Sequence, residues 1–263
     1  MSYTTIRFEI EQSIATLTLN RPEVFNSLNE IMHEELKDVL FKIKNDKSIR
    51  VLVITGEGRA FCAGQDLNDR SVNSKDEKLD LGESIEKKYN PLIKSIYNLE
   101  IPVICKINGV AAGAGVGIAL ACDFIISVDS ASFIQAFCKI GLVPDSGISY
   151  FLPRLIGMAR AKELCMLGDK LSAATALEYG LISKVYPKES IDEEVSKFAI
   201  QLSKAPTYGL SLIKKELNES MGNSLDEQLE VEKNFQRLAG YSNDYKEGVA
   251  AFLEKRTPDF QGN

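Results

Sequence analysis

"INGVAAGAGVGIALACD", residues 107–123, runs from the end of one β-branched apolar stretch to the start of another and carries no charge before Asp123. Small residues at Gly113, Ala114 and Gly115 stand where a helix begins, so the first backbone N–H groups are left uncovered at the positive end of the helix dipole. Such a place can receive an anion or a developing oxyanion. It can equally be a point of close helix packing that tolerates only small side chains. The stretch is not a nucleotide-phosphate loop, because no Gly-Lys-Ser/Thr follows, and it lacks the GxGxxG dinucleotide fingerprint with its distant acid.

Working outward, "VICKI" (103–107) and "FIISV" (124–128) flank this segment, and "VLVIT" (51–55) has the same short β-branched character of a buried strand. Residues 5–10 and 14–19 alternate apolar and polar, which predicts a β-hairpin. Ser27 and Glu30 have the spacing of a capping box, and Met32, Leu36, Val39, Leu40 and Ile43 follow at helical spacing, with the helix beginning near Asn29. Further helices are expected around 85–98 and 113–121. A second glycine-containing segment, "GEGRAFCAGQDLNDR" (56–70), follows the strand at 51–55. The first 150 or so residues therefore predict repeated strand-strand-helix turns of an α/β protein, and from Gly157 onward helical patterns dominate. Residues 69–84 are charged and without apolar period, which predicts a surface loop able to cover a site.

The 263 residues are 44% apolar and carry a net charge of −6, enough for a sizeable core and contrary to the basic footprint of nucleic-acid binding. The five cysteines, Cys62, Cys105, Cys122, Cys138 and Cys165, are scattered without a CxxC pair, so neither a disulfide framework nor a zinc knuckle is expected. His33 is the sole histidine and is expected to be a packed helical residue; no metal site is expected. The polar start "MSYTTIRFEIEQS" lacks the apolar core of a secretory signal. The longest uncharged run, 107–122, is short of the ~20 residues that span a bilayer. A protein of the reducing cytoplasm, with no membrane partner, is the expectation.

"IGLVPDSG", residues 140–147, frames a single carboxylate, Asp145, with turn residues. Pro-Asp-Ser-Gly is good turn chemistry on its own. Its apolar neighbours Phe137, Leu142 and Val143 are also expected to desolvate the carboxylate and raise its pKa, as a general base requires. Asp66 and Asp123 are expected to serve structural hydrogen bonds.

Taken together, "FCAGQDL", "INGVAAGAG", "ACDFIISVDSASF", "IGLVPDSG", "LPRLIGMARA" and "YGLISKV" resemble, in order and over nearly the whole chain, the enoyl-CoA hydratase/isomerase (crotonase) superfamily. The resemblance implies a crotonase-like (ClpP/crotonase) spiral of strand-strand-helix units over 1–195 and a helical C-terminal trimerisation region over 196–263. It implies a homotrimer or a dimer of trimers, and an acyl-CoA thioester substrate with coenzyme A as the only cofactor moiety. The thioester carbonyl would be held by the backbone amides of Gln65 and Ala114. Val24, Ala63, Gly64, Gln65, Asp66, Leu67, Gly113 and Phe137 would touch the substrate or its CoA. Phe252 and Lys255 would meet the CoA adenine and phosphates, from their own or a neighbouring subunit. Hydratases of the family use two glutamates, and Gly117 and Phe137 stand at those positions, so hydration is disfavoured. Asp145 matches the aspartate that isomerases of the family use as base. "FCAGQDLNDR", "YNPL", "PTYGLSLIK" and "QRLAGYSNDYKEGVAAFLEKRTPDF" further resemble the branch that converts ring 1,2-epoxyphenylacetyl-CoA to an oxepin; a general 3-enoyl-CoA isomerase or hydratase-like enzyme of fatty-acid breakdown is the alternative. Two other classes stay open: an RNA-binding relative, which the acidic composition opposes, and a hydrolase or dehalogenase with Asp145 as nucleophile.

Overall fold

After an N-terminal hairpin, the chain divides its successive strands between two sheets. In the computed structural model, which describes residues 3–68 and 80–263, β1 (Ile6–Glu11) and β2 (Ile14–Leu19) form the antiparallel hairpin, with Gln12 and Ser13 both at positive φ in its two-residue turn. Helix α1 (Glu30–Asn45) leads to β3 (Val51–Gly56) and β4 (Ala60–Cys62). Beyond residue 80 come α2 (Leu81–Ser84), a π-helical turn at Ile85–Tyr89, and α3 (Asn90–Tyr97). The next turns are β5 (Val103–Ile107), β6 (Val110–Ala112) and α4 (Ala114–Leu120), then β7 (Phe124–Val128), β8 (Ser132–Ile134), α5 (Ile148–Ile156) and α6 (Met158–Leu167). Strand β9 (Lys170–Ser172), α7 (Ala173–Glu178) and β10 (Lys184–Tyr186) close the sheets, and α8 (Ile191–Ser203), α9 (Thr207–Ser220), α10 (Leu225–Gly240) and α11 (Asn243–Glu254) follow. The boundary expected at residue 195 falls inside α8, which packs on β2, β3 and β7.

The larger sheet runs β1-β2-β3-β5-β7-β10, parallel from β2 onward, and the smaller runs β4-β6-β8-β9. From β3 onward each successive pair of strands contributes one to each sheet, which is the spiral expected from the sequence. All six residues of β3 are buried, as a parallel strand covered on both faces requires.

Several local expectations are corrected. The capping box at Ser27 and Glu30 does not form: Asn29 is the N-cap and accepts from the Met32 amide at 2.9 Å. Ser27 and Leu28 are used in tertiary contacts instead, Ser27 O accepting from Arg21 Nη1 at 2.7 Å and Leu28 bridging to Gln65. The helical half contains two short strands, β9 and β10, that three-residue segments give no period to reveal. The segment read as a covering loop, 69–84, lies outside the described residues as far as 79; its end forms α2, capped by Asp80. Among the described residues no helix is long and apolar enough to cross a membrane.

Two asparagines, Asn26 buried and Asn108 half-buried, clamp the β3–β4 connection that leads to the second glycine segment. Asn26, fully buried at φ 56°, donates to Glu57 O (2.9 Å) and Ala60 O (2.8 Å) and accepts from the Arg21 amide (2.8 Å). Asn108 donates to Gly58 O (2.9 Å) and Ala60 O (3.1 Å) and accepts from the Gly56 amide (3.2 Å). Asparagine tolerates the left-handed region that Asn26 occupies, whereas alanine does not. Asn26→Ala is therefore expected to cost about 3 kcal/mol, through buried carbonyls left unpaired and backbone strain. Denaturant unfolding of the two proteins measures it, and an unchanged midpoint would show that water replaces the side chain without cost.

Candidate active site

The first turn of α4 is where three loops converge, and each meets it at a position without a side chain. All seven residues of α4 are buried, so the helix is packed on every side. At Gly113 (φ 51°), a Cβ would lie 3.7 Å from the Phe137 ring. At Gly115 it would lie 2.3 Å from Cys62 O, inside backbone contact distance. At Gly117 it would lie 2.5 Å from both Cβ and O of Ser146. The first turn of α4 thus touches β4, the loop after β8 and the Asp145–Ser146 turn at once.

The Cys62–Gln65 segment arrives beside Ala114 because β4 leaves its ladder there. The β4–β6 register shifts between Ala60 and Cys62, a bulge that ends the pairing and turns the chain. Gly64 then takes φ +88°, and a Cβ on it would sit 3.0 Å from Ala112 O and 3.3 Å from the Ala114 amide nitrogen. Neighbouring backbone groups are engaged: Leu28 N–H donates to Gly64 O (2.7 Å), Asp66 N–H to Leu28 O (2.9 Å) and Gly113 N–H to Ile134 O (3.0 Å). The amides of Gln65 and Ala114 have no backbone acceptor among the described residues. The family resemblance implies these two amides as the thioester donors.

Side chains hold this arrangement from behind. The buried Tyr89 hydroxyl bonds Gln65 Oε1, and Gln65 Nε2 donates to Leu28 O (3.2 Å) and Asp66 O (3.0 Å). The Tyr89 ring packs edge-on against His33, at 4.7 Å between centroids. Asp66, buried, pairs with Arg21 Nη2 at 2.9 Å and accepts from the Asn68 amide at 3.1 Å. Its carboxylate is thus committed to holding the loop. Sequence reasoning passed over Tyr89, Arg21, Asn26 and Asn108 as functional supports, since each bonds residues 5 to about 50 positions away. The one local signal was a tyrosine on the apolar face of "YNPL".

Asp145 is half-buried, and its Oδ1 accepts from Ser146 Oγ at 2.8 Å. Gly117 lies three residues beyond Ala114, about 4.5 Å along the helix axis, and Ser146 rests against it. Asp145 is thereby delivered beside the same helix turn as Ala114. Phe137 is buried and Leu142 half-buried, but Val143 is 79% exposed and does not desolvate the carboxylate within this chain. The cause is the turn itself, which points residue 143 away as Gly141 takes φ 72°.

Of the other expected site residues, Val24 is half-buried in a 3₁₀ turn at Pro22–Val24, and the next carbonyl, Phe25 O, accepts from the Ala63 amide at 3.0 Å. Ala63 and Leu67 are exposed beside it. Phe252 (83% exposed) and Lys255 stand on or just after α11, whose packing partners are α10 and the C-terminal tail. The structure does not bring these two to the Gln65–Ala114 site within one chain. Burial pushes the Cys62 thiol up to about 12, so it stays protonated and is no nucleophile at neutral pH. A separate cavity of about 570 Å³ opens at the far end of α4, lined by Tyr97, Leu120, Tyr150, Leu155 and Ile213 among others. Asp123 and Lys214 pair there at 2.9 Å, and burial raises the Asp123 pKa against the pull of that lysine. Asp123 also accepts from the Val103 amide at 2.8 Å, a structural use of the acid.

Residues 9–263 match the family model described as "Enoyl-CoA hydratase/isomerase". The chain is 50% identical over 253 residues to the "1,2-epoxyphenylacetyl-CoA isomerase" of Escherichia coli, covering 96% of this chain and 97% of that protein. It is 42% identical over 262 residues to the "Probable enoyl-CoA hydratase" of Rhodobacter capsulatus, covering all of both. The crystal structure of an enoyl-CoA hydratase from Bacillus anthracis superposes with a TM-score of 0.93 at 33% identity, covering 99% of this chain and all of that one.

Because Gly117 has backbone against it rather than a movable side chain, Gly117→Ala is expected to destabilise the protein by about 2–3 kcal/mol. Gly240, at the end of α10 with open space around it, is the control: its alanine variant is expected to be neutral or slightly stabilising. Equal unfolding midpoints for the two variants would mean that the Ser146 turn yields easily.

Proposed function

Since the chain belongs to the enoyl-CoA hydratase/isomerase family, we propose that it is an isomerase of acyl-CoA thioesters that uses Asp145 as its proton shuttle. The observation that carries this reading is the contact of Gly117 with Ser146. The hydratases that the sequence resembles place one acid at position 117 and another at 137. Here a Cβ at 117 would already lie 2.5 Å from the Ser146 carbonyl oxygen, and Phe137 puts an aromatic ring beside Gly113. Water activation by two positioned carboxylates has no place in this arrangement, whereas one carboxylate suffices to move a proton between two carbons.

In the proposed reaction the thioester oxygen accepts hydrogen bonds from the amides of Gln65 and Ala114. The Asp145 carboxylate removes a proton from the carbon beside the thioester, and the electron pair moves onto that oxygen to give an enolate. Each amide of such a pair is worth about 3–4 kcal/mol at the transition state, because it is already oriented when the charge develops. Asp145, now protonated, returns the proton to a carbon further along on the same face. With ring 1,2-epoxyphenylacetyl-CoA, the ring is reprotonated as the epoxide opens to the seven-membered oxepin; with a 3-enoyl-CoA, the double bond moves to position 2. The 50% identity to the E. coli isomerase favours the ring epoxide. The chemistry uses no metal and no cofactor besides the CoA of its substrate, which the backbone at Val24 and Ala63 to Leu67 would border.

We further infer a homotrimer, or a dimer of trimers, of a cytoplasmic enzyme. Ile213, Leu217, Met221, Leu225 and Leu229 along α9 and α10 are all at least half exposed, an apolar face that supports assembly through the helical C-terminal region. The exposure of Phe252 and Lys255 is consistent with their meeting CoA bound to a neighbouring subunit.

Offered the ring 1,2-epoxide of phenylacetyl-CoA generated in situ, the protein is expected to form the conjugated oxepin, followed by mass and ultraviolet spectrum. Asp145→Asn is expected to bind CoA thioesters but to lose at least ~100-fold in turnover. Near-normal turnover of that variant would remove Asp145 from the mechanism. Decay of the epoxide only at its uncatalysed rate would make a 3-enoyl-CoA the leading substrate. Solvent ¹⁸O entering the Asp145 carboxylate during turnover would replace the shuttle with a nucleophile.

A further inference from the structure

Ser146 occupies a conformation that its residue type does not favour. It is a non-glycine residue at φ 52°, buried to 2% exposure, followed by Gly147 at φ 75°. A serine in the left-handed region costs about 1–2 kcal/mol relative to a residue suited to it. Glycine would remove that cost, and asparagine would reduce it at the expense of a larger side chain. The strain is held in place from both sides. Gly117 packs against Ser146 Cβ and O so closely that no side chain fits between them, and Ile148 N–H closes the turn onto Asp145 O at 3.0 Å. The conformation puts Ser146 Oγ 2.8 Å from Asp145 Oδ1.

We propose that Ser146 is a positioning residue for the proton shuttle: its hydroxyl tethers Oδ1 of Asp145 and fixes the rotation of the carboxylate toward the bound thioester. This rests on the reading of Asp145 as the base. A hydroxyl donor to the ionised carboxylate limits the rotamers from which proton abstraction starts, and so raises the fraction of encounters in a reactive geometry. Strain of this kind persists where the surrounding structure over-determines it, and clusters at sites that use it. A small residue filling a turn explains the size of Ser146, but it explains neither the hydroxyl nor the retention of a Cβ at positive φ.

The test is exchange of the α-hydrogens of phenylacetyl-CoA with deuterium oxide, followed by mass on the full-length protein. It reads enolate formation whatever acyl group the protein uses in the cell. Ser146→Ala keeps the Cβ and deletes the hydroxyl; its saturating exchange rate is expected to fall roughly tenfold, the scale of one hydrogen bond, with the apparent KM within twofold of wild type. Ser146→Gly, which relieves the strained φ and guards against a variant that fails to fold, is expected to lose as much. In an Asp145→Asn background the alanine change is expected to cause no further loss, the non-additivity of two groups acting as one. Wild-type exchange in both Ser146 variants, with Asp145→Asn still inactive, would reduce Ser146 to a turn residue and leave the base in place. Normal exchange in Asp145→Asn would remove the base, and this inference with it.

Discussion

The alternate glycines at 113, 115 and 117, at the start of α4, are the constraint on which the rest of this site depends. An α-helix normally keeps neighbouring backbone at side-chain distance. Here Gly115 admits the Cys62 carbonyl and Gly117 admits the Ser146 backbone, while Gly113 leaves room for the Phe137 ring. The end of β4 and two parts of the β8–α5 connection reach one helix turn because glycines stand where each of them meets it. Glycine costs about 1 kcal/mol per position in a helix relative to alanine, and the burial of all seven α4 residues offsets it. The cost is accepted where backbone, and not side chain, must meet backbone.

The spiral explains why those segments arrive at the right level. From β3 to β8 each turn places one strand in the six-stranded sheet and the next in the four-stranded sheet, so β4, β6 and β8 stack in parallel and their following loops emerge side by side. The loop after β4 carries Gln65, the one after β6 carries Ala114, and the one after β8 carries Phe137 and then Asp145. Ligand chemistry beyond the carboxyl ends of parallel strands is a general outcome of such stacking. Rigid strands fix the levels, and the clamps from Asn26, Asn108, Arg21 and Tyr89 fix the loops.

Much of this was legible in the sequence, and the misses share a cause. Alternation gave the β1–β2 hairpin, and β-branched runs gave β3, β5 and β7. The small residues at 113–115 marked both the start of α4 and a place where amides stay open, leaving open whether packing or anion binding explained them. In the structure the glycines at 113, 115 and 117 serve close packing, while Ala114 presents the amide. The capping box failed because Leu28 is held in a bridge to Gln65 and the helix starts only after it, with Asn29 as the cap, which a local signature cannot register. Strands β9 and β10 exist through pairing with β8 and β7, not through any period of their own. Val143 looked like part of an apolar wall around Asp145, but a left-handed Gly141 turns the chain so that it faces outward. Ser146 gave no sign at all, since serine is not a residue from which positive φ is inferred.

The same packing that builds the site also limits which side chains fit within it. A glutamate at 117 and a close Ser146 turn are mutually exclusive in this backbone, because the Cβ needed for the first occupies the volume of the second. Admitting the turn brings in Asp145 with its tethering hydroxyl; excluding it would leave space for an acid on α4 itself. Substitution at 117 alone therefore disturbs the Ser146 turn. It removes the seat of the Asp145 turn without supplying a second acid at 137, where Phe137 is buried against Gly113. A fold shared with proteins named as hydratases thus accommodates the single-carboxylate shuttle proposed above, through a helix glycine and the turn it accepts.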